Sequence, residues 1–335
     1  MGKSGLRDVG RLAVPAVGAV VRAPGDRVLP VRLVGADGAE VVAVTEFLLD
    51  QGACGGSAGS ARSYALALLR WFRFLWAVGV AWDRAGRVEA RDFMLWLEVA
   101  RKPERRRAPG APSPGSVNPV TRKRYPGVQY AVRTRRHNRA VVRAFYEYHR
   151  EAGTGPMLNP MPGRRGRDGD RADAHHNPLE LFERGRRADF QPRLPRQEPR
   201  YLPDAAFDAL FAALGSDRDR AIVAFYISTG ARASELLGVT CCRVDVGQQL
   251  IGVFRKGSGA LQWLPASADA FNWLRLYWQG LGDRVSWGAA DPLWVTLRRP
   301  HRPLAYPAMR AVLIRANKVL GTNWTLHDLR HFVPA

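Results

Sequence analysis

Apolar positions along the chain change period several times, and each change marks an element. Val44, Phe47 and Leu48 share one face of a helix that starts near Val41. A Gly/Ser-rich break spans 52–60, and residues 61–78 then place Tyr64, Leu68, Trp71, Phe72 and Leu75 at three- and four-residue steps, which predicts a strongly amphipathic helix. A third helix is predicted over 89–100, with Phe93, Leu95, Trp96 and Leu97. A fourth over 129–150 has Val132, Val141, Val142, Phe145 and Tyr148 on its apolar side, and its other side carries Arg133, Arg135, Arg136, Arg139 and Arg143. Between the third and fourth lies a Pro/Gly/Arg-rich loop, 101–127, with Arg105, Arg106, Arg107, Arg122, Lys123 and Arg124.

Periodicity fails over 156–200, which reads as an extended basic linker with room for a short helix at 179–185; His175 and His176 there are expected to be surface residues. It resumes after Tyr201. Pro203 and Asp204 open a helix with Phe207, Leu210, Phe211 and Leu214 inward, and Asp217 opens another through Ile222, Val223, Phe225 and Tyr226. Four regions result: an N-terminal arm, irregular or a short hairpin, over 1–40; a small all-helical domain over 41–155; the linker over 156–200; and a second domain over 201–335.

Composition narrows the class. Of 335 residues 46% are hydrophobic, enough for packed cores, and no apolar run reaches the length of about eighteen residues that a membrane-spanning helix needs. The N-terminus has no long apolar stretch and does not read as a signal peptide. Three cysteines, two of them adjacent (Cys241 and Cys242), show no metal-ligand spacing and fit a reducing, cytoplasmic setting. The net charge of +21 predicts a polyanionic partner, and the preference for Arg suits bidentate contact with phosphate. Arg133, Arg135, Arg136 and Arg139 of the fourth helix, with Arg122 and Lys123 of the preceding loop, are the expected contacts to a nucleic-acid backbone.

Three segments carry candidate chemistry. In Tyr226-Ile-Ser-Thr-Gly-Ala-Arg-Ala-Ser-Glu-Leu-Leu-Gly-Val-Thr240 one helix closes at Gly230 and the next begins at once, holding Arg232 near a helix start, where backbone N–H groups also favour phosphate. Taken alone, Arg232 and Glu235 could be a solvated i, i+3 pair. In Leu250-Ile-Gly-Val-Phe-Arg-Lys-Gly-Ser-Gly-Ala-Leu-Gln-Trp-Leu-Pro265 two apolar strands flank a Gly-containing hairpin with Lys256 at its tip or shoulder, where a solubilising lysine would serve as well. In Trp324-Thr-Leu-His-Asp-Leu-Arg-His-Phe332, Thr325 is a candidate N-cap, and His327 and Arg330 share a helix face. His327 and His331 are four apart, a spacing open to metal, but no third ligand accompanies them and Arg330 would oppose a cation; no metal and no cofactor are expected.

In this order, on helix, hairpin and helix, the three segments resemble the tyrosine recombinase, or phage integrase, family. Thr229-Gly-Ala-Arg-Ala-Ser-Glu-Leu236 matches its first arginine motif; Lys256, 24 positions after Arg232, matches its hairpin lysine; His327-Asp-Leu-Arg330 matches its His-x-x-Arg motif, with Arg330 98 positions after Arg232. The resemblance implies a mainly α fold with a small β-hairpin or sheet: an all-helical core-binding domain and a mixed α+β catalytic domain. It implies that Arg232 and Arg330 hold the non-bridging oxygens of a phosphodiester, that Lys256 protonates the leaving 5′ oxygen and that His327 transfers a proton, with Glu235 and His331 in support. A tyrosine hydroxyl would attack, giving a 3′-phosphotyrosyl link on double-stranded DNA, in a tetramer of this chain on two sites.

The family places that tyrosine a few tens of residues beyond the second arginine, whereas the sequence ends at Ala335. The nucleophile is therefore expected to be absent from this chain, the catalytic domain incomplete and cleavage lost. Tyr277 and Tyr306 precede the His-x-x-Arg motif and are in the wrong order for the role. The rival readings are a non-catalytic DNA-binding protein, which could occupy a recombination site without cutting it, and a basic RNA-binding protein, against which the paired arginine motifs weigh. A type IB topoisomerase shares the chemistry but fits the small helical first domain less well.

Overall fold

The computed structural model describes residues 7–103, 109–161, 189–194, 202–285 and 287–329. The candidate linker helix at 179–185, His175, His176, Arg105, Arg106 and Arg107 lie outside them. The fold is helix-dominated with small antiparallel sheets, as the sequence predicts. It forms two compact units: one comprises Met1–Pro114 and Pro126–Arg196, the other Gly115–Tyr125 and Gln197–Ala335.

The first unit opens with a hairpin, β1 (Ala19–Arg22) paired antiparallel with β2 (Val31–Val34). This region is more than an arm: β2 buries Val31 and Leu33 in the same core as the helices. Four helices follow, α1 (Val42–Ala53), α2 (Ala58–Val78), α3 (Arg87–Val99) and α4 (Val132–Glu151). α2 starts where Ser57 Oγ accepts the Ser60 N–H at 3.1 Å, and it stops at Gly79, whose φ of 65° is left-handed. The core between these helices is aromatic. Trp71, Phe47, Phe74, Phe93, Phe145 and Tyr146 are all fully buried, and Trp71 meets Phe93 edge-on at 4.9 Å. Its polar atoms are paired. Trp71 Nε1 donates to the Tyr146 hydroxyl at 3.0 Å, and that hydroxyl donates to the Trp82 carbonyl at 2.8 Å. Leu95 is 46% exposed, because its neighbours Met94 and Leu97 take the core-facing side of α3.

In the second unit α5 (Asp204–Ala212) leads to α6 (Asp217–Thr229) and the short α7 (Ala233–Leu237). A sheet follows in which β4 (Leu250–Phe254) lies between the two-residue β3 (Val244–Asp245) and β5 (Leu261–Pro265), antiparallel to both. Three helices complete the unit: α8 (Ala268–Leu281), α9 (Tyr306–Leu320) and α10 (Leu326–Leu329). α6 and α8 sandwich Phe225 and Phe271 at 5.0 Å, edge to face. One core joins Leu236 of α7, Ile251 and Val253 of β4, and Leu326 and Leu329 of α10. The described parts of the three candidate segments thus hang on a single packed body.

Residues 115–125 fall within the long loop that the sequence assigns to the helical domain. They instead cluster with the second unit. The reason is polar: Asn118, Thr121 and Lys123 bond to Gly321, Asn323 and Asp328.

Candidate active site

Gly230 closes α6 in the left-handed conformation (φ 61°), so the chain can reverse and start α7 three residues later. Arg232 is the N-cap of α7, and Glu235 sits in its first turn. The Glu235 carboxylate reaches back to accept the Arg232 N–H at 2.8 Å, satisfying one of the unpaired donors of a helix start. Its other oxygen takes the Arg232 guanidinium at 2.8 Å and the Lys256 backbone N–H, also at 2.8 Å, and Arg255 Nη1 lies 3.3 Å from Oε2. A surface pair would show two loose, exposed partners; here the Glu235 side chain is 1% exposed while that of Arg232 is 42% exposed.

Burial by itself would raise the Glu235 carboxyl. The two backbone N–H groups, the Arg232 guanidinium and the charge of Arg255 outweigh it and bring the group down to about 2. Glu235 is therefore a fixed negative charge that holds three cationic residues on two elements. The hairpin supplies two of them. Its turn needs backbone that L side chains avoid, and glycines provide it: Gly257 has φ 114° and Gly259 φ 68°. Arg255 N–H to Ala260 O and Gly259 N–H to Arg255 O, both 2.9 Å, close the turn. Lys256 is exposed.

His327 is exposed on α10, flanked by the buried Leu326 and Leu329, which anchor the helix in the core that also holds Leu236. Thr325 acts at the start of that helix, with the roles reversed from a simple cap. Its N–H and hydroxyl both donate to Asp328 Oδ2, at 2.8 and 2.7 Å. Arg330 and His331 lie outside the described residues. Among the described residues no group of three or more His, Cys, Asp or Glu side chains could hold a metal ion.

The two tyrosines differ sharply. Tyr277 is 2% exposed, its oxygen accepts the Val295 N–H at 3.1 Å, and burial pushes its hydroxyl up to about 12. Tyr306 opens α9 and is half exposed.

The expected phosphate contacts also divide. Arg133 is exposed and lines a cleft with Ser63, Leu66, Arg70, Thr134 and His137, in which Ser63 Oγ and His137 Nε2 are 2.9 Å apart. Arg135 pairs with Glu98 at 2.9 Å. Arg136 is half-buried, and Arg122 is exposed with a left-handed φ of 54°. Arg139 departs from the solvated face on which the pattern put it: it is 6% exposed and donates Nε to the Asp189 carbonyl at 2.6 Å. Lys123 is paired with Asp328. Sequence reasoning missed Arg255, although it adjoins Lys256, and missed the Lys123–Asp328 pair, whose partners are 205 positions apart.

Residues 201–334 match the family model described as the phage integrase family. Through this segment the chain is similar to that family, the tyrosine recombinases. It is 31% identical over 146 residues to the tyrosine recombinase XerD of Pseudomonas aeruginosa, covering 42% of this chain and 49% of that one. It is likewise 31% identical over 180 residues to XerD of Xanthomonas campestris pv. campestris, covering 49% and 52%. The chain thus spans about half the length of these curated relatives. Among solved structures it is similar in fold to the Tn1549 transposon integrase in complex with circular intermediate DNA, with a TM-score of 0.54, 13% identity and coverage of 86% and 84%. It is also similar to a lambda integrase dimer bound to a COC′ core site, with a TM-score of 0.53, 12% identity and 86% of both chains covered.

Proposed function

We propose that this protein binds double-stranded DNA and carries out site-specific recombination, cutting and rejoining strands through a 3′-phosphotyrosyl intermediate. The observation that carries this reading is the buried Glu235 carboxylate, which gathers Arg232, Arg255 and Lys256 within a phage integrase segment. Arg232 and Arg330 neutralise the non-bridging oxygens, where charge builds as the phosphorus becomes pentavalent. A tyrosine hydroxyl, assigned to none of the described residues, attacks phosphorus and gives up its proton to a base at the site as the bond to the 5′ oxygen breaks. Lys256 gives that oxygen its proton, and His327 takes part in proton transfer at the site with His331 beside it. The phosphotyrosyl bond keeps the energy of the broken one, so religation needs no ATP. The attacking hydroxyl is not that of Tyr277, which is enclosed and hydrogen-bonded. Arg133, Arg135 and Arg136 of α4, with Arg122, supply the basic surroundings for the backbone, and four copies act on two duplexes in the cytoplasm.

The test is a titration of the chain with duplex DNA and with structured RNA over a range of salt. The expected result is tighter binding to the duplex, with affinity falling steeply as salt rises. Equal or tighter binding to the RNA contradicts the reading.

A further inference from the structure

Residues 115–125 fold as a small hairpin whose shape is set internally. Val117 and Arg124 form an antiparallel bridge, the Asn118 N–H donates to Lys123 O at 2.9 Å, and Tyr125 N–H to Ser116 O at 2.8 Å. Asn118 Oδ1 accepts the N–H groups of Val120 and Thr121, at 2.9 and 2.8 Å, and fixes the turn. Asn118 is 2% exposed. Its amide nitrogen leaves the hairpin and donates to Gly321 O at 2.8 Å. The rest of the contact runs along the segment that connects α9 to α10. The Thr121 hydroxyl bonds Asn323, Asn323 Nδ2 donates to Lys123 O at 3.2 Å, and the Lys123 ammonium sits on the Asp328 carboxylate with Thr325 Oγ1 3.4 Å away.

Asp328 is the second residue of His327-Asp-Leu-Arg330, directly bonded to the histidine. Its side chain is 15% exposed and that of Lys123 26%. The same carboxylate holds the first turn of α10 through both polar groups of Thr325. A carboxylate this enclosed is costly unless paired, and Lys123 is its cationic partner among the described residues. The lysine comes from a distant part of the sequence, on a hairpin with its own internal hydrogen bonds.

We propose that Lys123, carried on this hairpin, is a positioning residue for the recombinase chemistry: it neutralises Asp328 and so fixes the helix turn that presents His327. This rests on the proposed function for its catalytic consequence but not for its structural one. It also gives the lysine a different task from contacting DNA phosphate.

Two readouts test it on the native gene product. The first is amide hydrogen exchange. Lys123→Met and Asp328→Asn should both speed exchange over 321–329 while leaving 233–237 unchanged, and Lys123→Arg should restore protection. Unchanged exchange over 321–329 in Lys123→Met overturns the proposal. The second is the single-turnover rate of covalent DNA–protein complex formation, with affinity measured in parallel. Both charge-removing variants should slow the covalent step on the order of tenfold or more, because misplacing a reacting group costs rate rather than binding. Affinity and its salt slope should stay as in the wild type, and the double variant should be no slower than either single one. A weaker affinity with a shallower salt slope in Lys123→Met, and a normal Asp328→Asn, would make Lys123 a phosphate ligand and overturn the proposal. If the wild type forms no covalent complex, the recombinase reading fails, and the exchange result still decides whether Lys123 fixes the turn.

Discussion

In the first unit several arginines turn inward. Arg73 donates Nε to the Val17 carbonyl at 2.6 Å and Nη2 to Gly18 O at 2.8 Å, which ties the approach to β1 onto α2. Arg139 spends its Nε on the Asp189 carbonyl, Arg135 pairs with Glu98, and Arg7 with Glu89 at 2.9 Å. In the second unit Arg232 and Arg255 converge instead on the buried Glu235, together with the Lys256 backbone. Cationic residues thus gather at one carboxylate on the α7 and hairpin side, whereas the first unit disperses them among separate carbonyls and carboxylates. The same residue type is a staple in one unit and a candidate phosphate clamp in the other. The distinguishing feature is the fixed, enclosed anion rather than the density of charge.

The sharpest way to break this comparison is to remove one arginine from each unit. Arg232→Ala should slow covalent complex formation by about a hundredfold to a thousandfold, since it removes charge stabilisation at the reacting phosphate. Arg139→Ala should lower the stability of the first unit and leave the covalent step intact. A normal rate in Arg232→Ala, read by denaturing gel in single turnover, removes that residue from the site.

Glu235→Ala strikes the hub. It strands two backbone N–H groups and loses two charge-assisted bonds, so a loss of about 2–4 kcal/mol is expected in urea denaturation. The acid side gives a sign check. The carboxyl sits below its ordinary 4.5, at about 2, so its stabilisation is full above pH 4.5 and drains away as pH falls toward 2. A variant as stable as the wild type at pH 7 would reduce Glu235 to a surface residue.

The first unit has a polar weak point of its own. Tyr146→Phe leaves Trp71 Nε1 and the Trp82 carbonyl without their partner in a dry core, at about 1–3 kcal/mol by denaturant midpoint. No shift in midpoint would mean that this network contributes little. A smaller effect belongs to His149, which is fully buried, with Nε2 3.0 Å from Ala43 O and Nδ1 2.7 Å from Thr154 Oγ1. Burial lowers its pKa below the ordinary 6.5, so the folded state keeps it neutral while the unfolded chain takes up a proton. Its contribution is present above pH 6.5 and declines as pH drops below that. Thermal melts should show a slope there that His149→Asn reduces.

The helices were legible because three- and four-residue apolar spacing has one economical solution, and α2 and α4 formed close to where the pattern put them. The reversal at Gly230 and the hairpin turn were legible because glycine marks left-handed backbone. Arg139 was misplaced because a mid-helix arginine on the boundary of the apolar face can turn either way, and a distant carbonyl at Asp189 decided it. The allegiance of residues 115–125 was invisible for a similar reason: nothing local in Lys123 announces a carboxylate 205 positions later. Glu235 looked like half of a solvated pair until the hairpin closed over it and brought Arg255 and the Lys256 N–H within reach. Local pattern thus specifies elements, while the charge network depends on which elements meet.

The most direct test of the clamp separates its two jobs, holding charge and delivering a proton. Replacing the leaving 5′ oxygen of a duplex substrate by sulfur makes the leaving group good without an acid. The native gene product with Lys256→Ala should be slow on ordinary DNA and regain its rate on the sulfur substrate, while Arg232→Ala stays slow on both. Recovery in neither variant, or equal recovery in both, would contradict the roles assigned to Lys256 and Arg232.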